Sequence, residues 1–160
     1  MLAVPAVAGG LVAAGSGIAG AGVARAATQV AFTSRRSKLT LPDPLPATPL
    51  GLAFSAWLDL YDKTDTKIGD GSLSSMIVDV IVGLPLKIVV HSKVVFRITG
   101  GGFGVGEIHV SNMHIRVVPE PGVKHVLAIV GGTGAYSTAQ GDGQMEYVTA
   151  TDTSVVLNLA

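Results

Sequence analysis

From residue 51 onward the chain alternates apolar and polar positions. In Leu52–Tyr61, Phe54, Ala56, Leu58 and Leu60 share one side, and Ser55, Trp57, Asp59 and Tyr61 share the other. A period of two with one apolar phase predicts a half-buried strand. Lys67–Val82 reads as a second strand, with Met76, Val78, Val80 and Val82 in one phase. Leu86–Thr99 is the clearest: Ile88, Val90, Ser92, Val94, Phe96 and Ile98 oppose Lys87, His91, Lys93 and Arg97. Phe103–Val118 is a strand whose faces are harder to rank, because Ile108, Val110, Asn112, His114 and Arg116 share one of them. Lys124–Val130, Gly143–Thr149 and Thr153–Leu159 supply the last strands. Asp62-Lys63-Thr64-Asp65, Gly83-Leu84-Pro85, Gly100–Gly102 and Pro119–Gly122 separate these runs with turn residues. No stretch after Gly51 repeats at 3.6 residues. Seven or eight strands joined by short turns predict an all-β, single-domain antiparallel barrel or sandwich.

The chain before residue 51 differs. Residues 1–27 are rich in Ala, Gly and Val, and Arg25 is their only ionisable side chain. They end Ala24-Arg25-Ala26-Ala27, a small-x-small pattern suited to signal cleavage, with no basic stretch ahead of it. The segment reads as an export signal, as a membrane anchor, or as an extension packed on the barrel. The first two place the protein outside the cell or at a membrane; the third leaves it cytoplasmic. Residues 28–50 read as a linker, since Pro42, Pro44, Pro46 and Pro49 exclude regular helix and central strand. Ser34-Arg35-Arg36-Ser37-Lys38 would face anionic head groups if residues 1–27 held the chain at a membrane. The expected division is therefore 1–27 signal or anchor, 28–50 linker and 51–160 barrel.

Charge narrows the function classes. Lys plus Arg equal Asp plus Glu at 11 each, so no basic field invites nucleic acid. The absence of cysteine removes disulfides, thiol nucleophiles and thiolate metal sites. His91, His109, His114 and His125 lack a metal-ligand spacing, and His109 and His114 fall on opposite faces of one strand. Asp59 and Asp79 lie on polar faces, and Ser92 has no visible base or orienting partner. No metal and no cofactor is expected.

Two motifs carry a resemblance. Val130-Gly131-Gly132-Thr133-Gly134-Ala135-Tyr136, followed by Gly141-Asp142-Gly143, joins two strand-like runs by Gly-rich corners. Such corners suit a strand that bends sharply and re-enters a closed sheet. Upstream, Leu60-Tyr61-Asp62 precedes Lys67-Ile68-Gly69-Asp70-Gly71-Ser72 after a short polar gap. In order and spacing the two resemble the closing corner and first hairpin of the allene oxide cyclase and dirigent barrel superfamily. The likeness covers roughly Gly51 to Ala160 and is greatest to small bacterial polyketide cyclases that form spirotetronate-type rings by 4+2 cycloaddition. It selects the up-and-down barrel over the sandwich. It implies a ligand in the lumen, where a pocket Trp and Met of those cyclases align with Met145 and Tyr147.

With apolar phases inside, the expected lumen contains Leu58, Leu60, Met76, Val78, Val94, Phe96, Leu127 and Met145, joined by Asn112 and His114 if that phase of their strand faces in. Ser92 and the Tyr147 phenol are its candidate polar handles. A filled core without a cavity remains the competing expectation. An apolar chamber with one hydroxyl suits a cofactor-free pericyclic ring closure of a polyketide-type intermediate, which needs orientation and one polarised carbonyl rather than proton transfer. The alternatives are an exported dirigent-like barrel that binds a lipid or phenolic ligand without catalysis, and a structural barrel. The expected partner is an apolar small molecule; a homodimer is compatible with the sequence.

Overall fold

The computed structural model describes residues 28–117 and 121–160. Eight strands close a barrel in chain order: β1 (Thr28–Leu39), β2 (Ala53–Tyr61), β3 (Lys67–Ile81), β4 (Lys87–Ile98), β5 (Gly106–Arg116), β6 (Lys124–Gly132), β7 (Gly141–Tyr147) and β8 (Asp152–Leu159). Every neighbouring pair is antiparallel, including β1 with β8. Closure gives each strand two partners, and the β5–β6 ladder runs from Ile108–Gly132 to Ser111–Ala128. Among the described residues no helix is long and apolar enough to cross a membrane.

Alternation sets the inside. On β4, Ile88, Val90, Ser92, Val94, Phe96 and Ile98 are all buried, as their period of two requires. The ambiguous face of β5 resolves the same way: Ile108, Val110 and His114 are buried, and Asn112 and Arg116 partly so. The β2–β3 turn is held by the Asp62 carboxylate, which accepts from the backbone N–H groups of Thr64 and Thr66. The Gly-rich corner ends β6 and continues into a single 3-10 turn, Gly134–Tyr136. Thr133 and Glu107 exchange backbone hydrogen bonds, and Ala135 N–H donates to the Val105 carbonyl. A Cβ at Gly132 would collide with the Glu107 carbonyl oxygen, so the close approach needs glycine there.

Two expectations are corrected. Residues 28–39 are not linker; they are the strand that closes the barrel, so the barrel spans 28–160. Val30, Phe32 and Ser34 face inward, and the charges of the segment sit on its outer side or rim. Arg35 bonds Asp152 at 3.1 Å and Asp65 at 3.2 Å, with its guanidinium 4.4 Å from the Tyr61 ring centroid. A basic cluster hid an ordinary strand. The proline-rich remainder, residues 40–52, is a strap folded over one barrel end. It is tied down by Thr40 N–H to the Ser55 carbonyl and by reciprocal bonds of Gly51 and Leu52 with Ile77. The signal or anchor reading concerns residues 1–27, outside the described residues.

The second correction is the phase of β3. Met76 and Val78 are exposed on the barrel exterior, and the inward phase is Gly69, Gly71, Leu73, Ser75 and Ile77. The small inward residues are what β4 demands. A Cβ at Gly69 would strike the Arg97 carbonyl oxygen, and one at Gly71 would press on the Val95 carbonyl and the Phe96 ring. An irregularity between Ile77 and Asp79 then returns Val80 towards the interior.

The interior divides along the axis. Leu60, Ile68, Ile98, Ile108, Leu127 and Leu157 are at most 1% exposed and pack into one cluster that fills the half nearer the Gly-rich corner. Phe32 meets Phe96 edge to face at 5.0 Å. At the strap end, Phe54, Ile77, Ile88 and Val90 pack with Leu41, Leu45 and Leu52 of the strap.

Candidate functional site

The open space lies at the strap end. A lumenal cavity of about 70 Å³ is floored by Leu58, Val94, Phe96, Met145 and Val155. A vestibule of about 430 Å³ lies beneath the strap. Arg36, Leu39, Arg116, Tyr147 and Ala150 line both, so the two spaces adjoin. A third space of about 290 Å³ at the opposite end is lined by Gly102–Gly104, Ala135, Tyr136 and Leu159, without a charged side chain. Burial pushes the Tyr136 phenol up, and its hydroxyl has no partner among the described residues.

The residues singled out in the sequence separate into three groups. Leu58, Val94, Phe96, Met145 and Tyr147 come together around the lumenal cavity. Leu60 and Leu127 point inward but are sealed in the filled half, and Met76 and Val78 lie outside the barrel altogether. Ser92 is buried with its hydroxyl 2.7 Å from that of Ser75, and it does not line the cavity. The chamber is thus neither open along its length nor uniformly oily.

A polar cluster on β5, β6 and β7 reaches these spaces through Arg116 and Tyr147. Asn112, His114 and Arg116 follow one another on the inward face of β5; His125 and Tyr147 approach from β6 and β7. The His114 and His125 rings lie 4.4 Å apart, and His125 meets Tyr147 edge to face at 5.9 Å. Arg116 Nη1 donates to the Tyr147 hydroxyl at 2.7 Å. The Asn112 amide nitrogen lies 3.1 Å from His114 Nδ1. An amide nitrogen only donates, so Nδ1 accepts and the neutral ring carries its proton on Nε2. Desolvation, with His125 and Arg116 adding to it, lowers the His114 pKa to about 4, and the ring is neutral at pH 7. Arg36, Arg116 and His125 were not anticipated. The available signal was the alternation Ile108, Val110, Asn112, His114, Arg116, which puts a cation on an inward phase at a strand end.

No protein-family model matches the chain, and no curated protein does. Solved structures do. A pyocyanin demethylase superimposes with a TM-score of 0.66 at 15% identity, over 83% of this chain and 100% of that one. The chain shares its barrel fold with these structures. AbnU, described as an exo-specific intermolecular Diels-Alderase, superimposes with a TM-score of 0.61 at 12% identity, over 84% of this chain and 98% of that one. The pterocarpan synthase dirigent protein GePTS1 gives 0.59 and 18%, over 83% and 85%. At these identities the likeness is one of fold.

Chemically, the strap end of the barrel offers an apolar floor, a phenol whose oxygen is already bonded to a guanidinium, and two arginines at the rim. A hydroxyl that accepts from a cation donates its own proton more strongly. Among the described residues no three His, Asp or Glu side chains cluster as metal ligands.

Proposed function

We propose that the protein is a cofactor-free cyclase that holds an apolar, carbonyl-bearing intermediate of polyketide type at the strap end and promotes 4+2 ring closure. The observation that carries the proposal is the Arg116–Tyr147 pair over the floor of Leu58, Val94, Phe96, Met145 and Val155. The floor excludes water and fixes the folded polyene, and orientation of this kind supplies several kcal/mol towards the barrier. The Tyr147 hydroxyl donates to the dienophile carbonyl, while Arg116 supports the charge that gathers on its oxygen. No side chain has to gain or lose a proton in this scheme, so neutral His114 and the outward carboxylates take no part in it.

The test is turnover of a linear polyene carrying a carbonyl-activated dienophile, followed by the rate and stereochemistry of cyclisation. Tyr147→Phe is expected to lower kcat by about 10- to 100-fold with little change in fold, below the loss typical of a full oxyanion donor. Met145→Trp is expected to fill the lumenal cavity and abolish turnover. If neither change affects the rate, while substitution of His91, Asp59 or Glu107 does, the ring closure proceeds elsewhere by acid–base chemistry. A dirigent-like binding role without catalysis is favoured by the vestibule being larger than the lumen; it predicts ligand binding with no acceleration.

A further inference from the structure

We infer that the strap-end cavity selects ligands bearing a carboxylate, and that Arg116 is the group that grips it. The inference rests on the proposed small-molecule role of this cavity and names its substrate class. Every other arginine–carboxylate pair among the described residues is on the outside: Arg35 with Asp65 and Asp152, and Arg97 with Asp70. Arg36 and Arg116, which line the lumen and vestibule, form no ion pair among the described residues. The carboxylate in the vestibule wall is Asp43 on the strap, and it pairs with neither.

The guanidinium of Arg116 has hydrogen-bonding capacity to spare. Its Nη1 is engaged by Tyr147. Its Nε is buried and has no partner among the described residues. The edge formed by Nε and Nη2 is the one that holds a carboxylate by two parallel hydrogen bonds. A buried donor on a cation is costly when left unmade, and an incoming anion would meet it. His114 adds an independent sign. Its Nε2 is buried without a partner among the described residues, and in the neutral tautomer that atom is a donor. Arg116, which lines the cavity above its apolar floor, with a second such donor behind it at the next inward position of β5, describes a site for a molecule with an acid at one end and a hydrocarbon body at the other.

The experiment is isothermal titration calorimetry of the full chain at pH 7 with decanoate, decanol and methyl decanoate. The expected result is decanoate binding at least about tenfold tighter than the two neutral ligands, with the advantage shrinking as salt is raised. Arg116→Met is expected to erase the preference and keep decanol binding. Arg116→Lys, which retains the charge but loses the two-pronged edge, is expected to keep only part of it. Should Arg116→Met fail to fold, the wild-type ranking and Arg116→Lys still decide the matter. Decanol binding as tightly as decanoate, or a preference unchanged in Arg116→Met, overturns the inference while leaving a cyclase of neutral carbonyl compounds standing. Decanoate preference without cyclisation of any polyene has the opposite meaning. Absence of binding by all three overturns both.

Discussion

His114 packs against His125 on one side and shares the inward face of β5 with Arg116. Its pKa, lowered from 6.5 to about 4, ties stability to pH with a definite sign. Between those values the unfolded chain binds the proton and the folded chain does not. The contribution of the neutral ring is therefore complete above pH 6.5 and is lost as pH falls towards 4. Urea midpoints measured from pH 7 to 4 are expected to drop for the wild type by an amount on the order of 2 kcal/mol more than for His114→Phe. Parallel curves for the two proteins would mean that the ring is hydrated and titrates normally. Single residues also explain where sequence reading stopped. Met76 and Val78 looked inward because they are apolar, yet the inward phase is the one that places Gly69 and Gly71, where β4 leaves no room for a Cβ. Steric room across strands, not hydropathy, decided that phase, and one strand read alone does not display it.

At the level of elements, β2 and β4 to β8 were legible because turn residues bound them, and all but β5, whose faces were ambiguous, show a clean period. β1 was not, since Arg35, Arg36 and Lys38 crowd its end and the prolines follow at once. Its role is visible only when β8 is placed beside it: Thr28 to Arg35 pair with Leu159 to Asp152, and Thr33 to Leu39 pair with β2. Removing it would leave β2 and β8 as open edges and expose the Val30 and Phe32 contacts. A chain beginning at Gly51 is expected to be insoluble or to lack a cooperative thermal transition. A soluble product that melts within a few degrees of the full chain would show that β1 is dispensable. The strap likewise came through only as a break. Leu41, Leu45 and Leu52 are spaced irregularly, and their common burial against Phe54 and Ile88 follows from the path of the backbone, which no period encodes.

For the molecule as a whole, the barrel class was readable from alternation and the two glycine motifs, whereas the site was readable only in part. Leu58, Val94, Phe96, Met145 and Tyr147 were placed by phase; the arginines were not, because a charged residue at a strand end is ordinarily a solvated one. The filled half of the interior has a consequence for traffic. If the proposed reaction takes place at the strap end, the filled half bars passage along the axis, and substrate and product share the strap-end route among the described residues. Product would then have to clear the strap before the next molecule enters, and product inhibition would be competitive. If ring closure is fast, the pace of the cycle is set by exchange past residues 40–52, and kcat should fall in proportion to solvent viscosity when sucrose is added. A kcat indifferent to viscosity would place the slow step inside the chamber, at the chemistry.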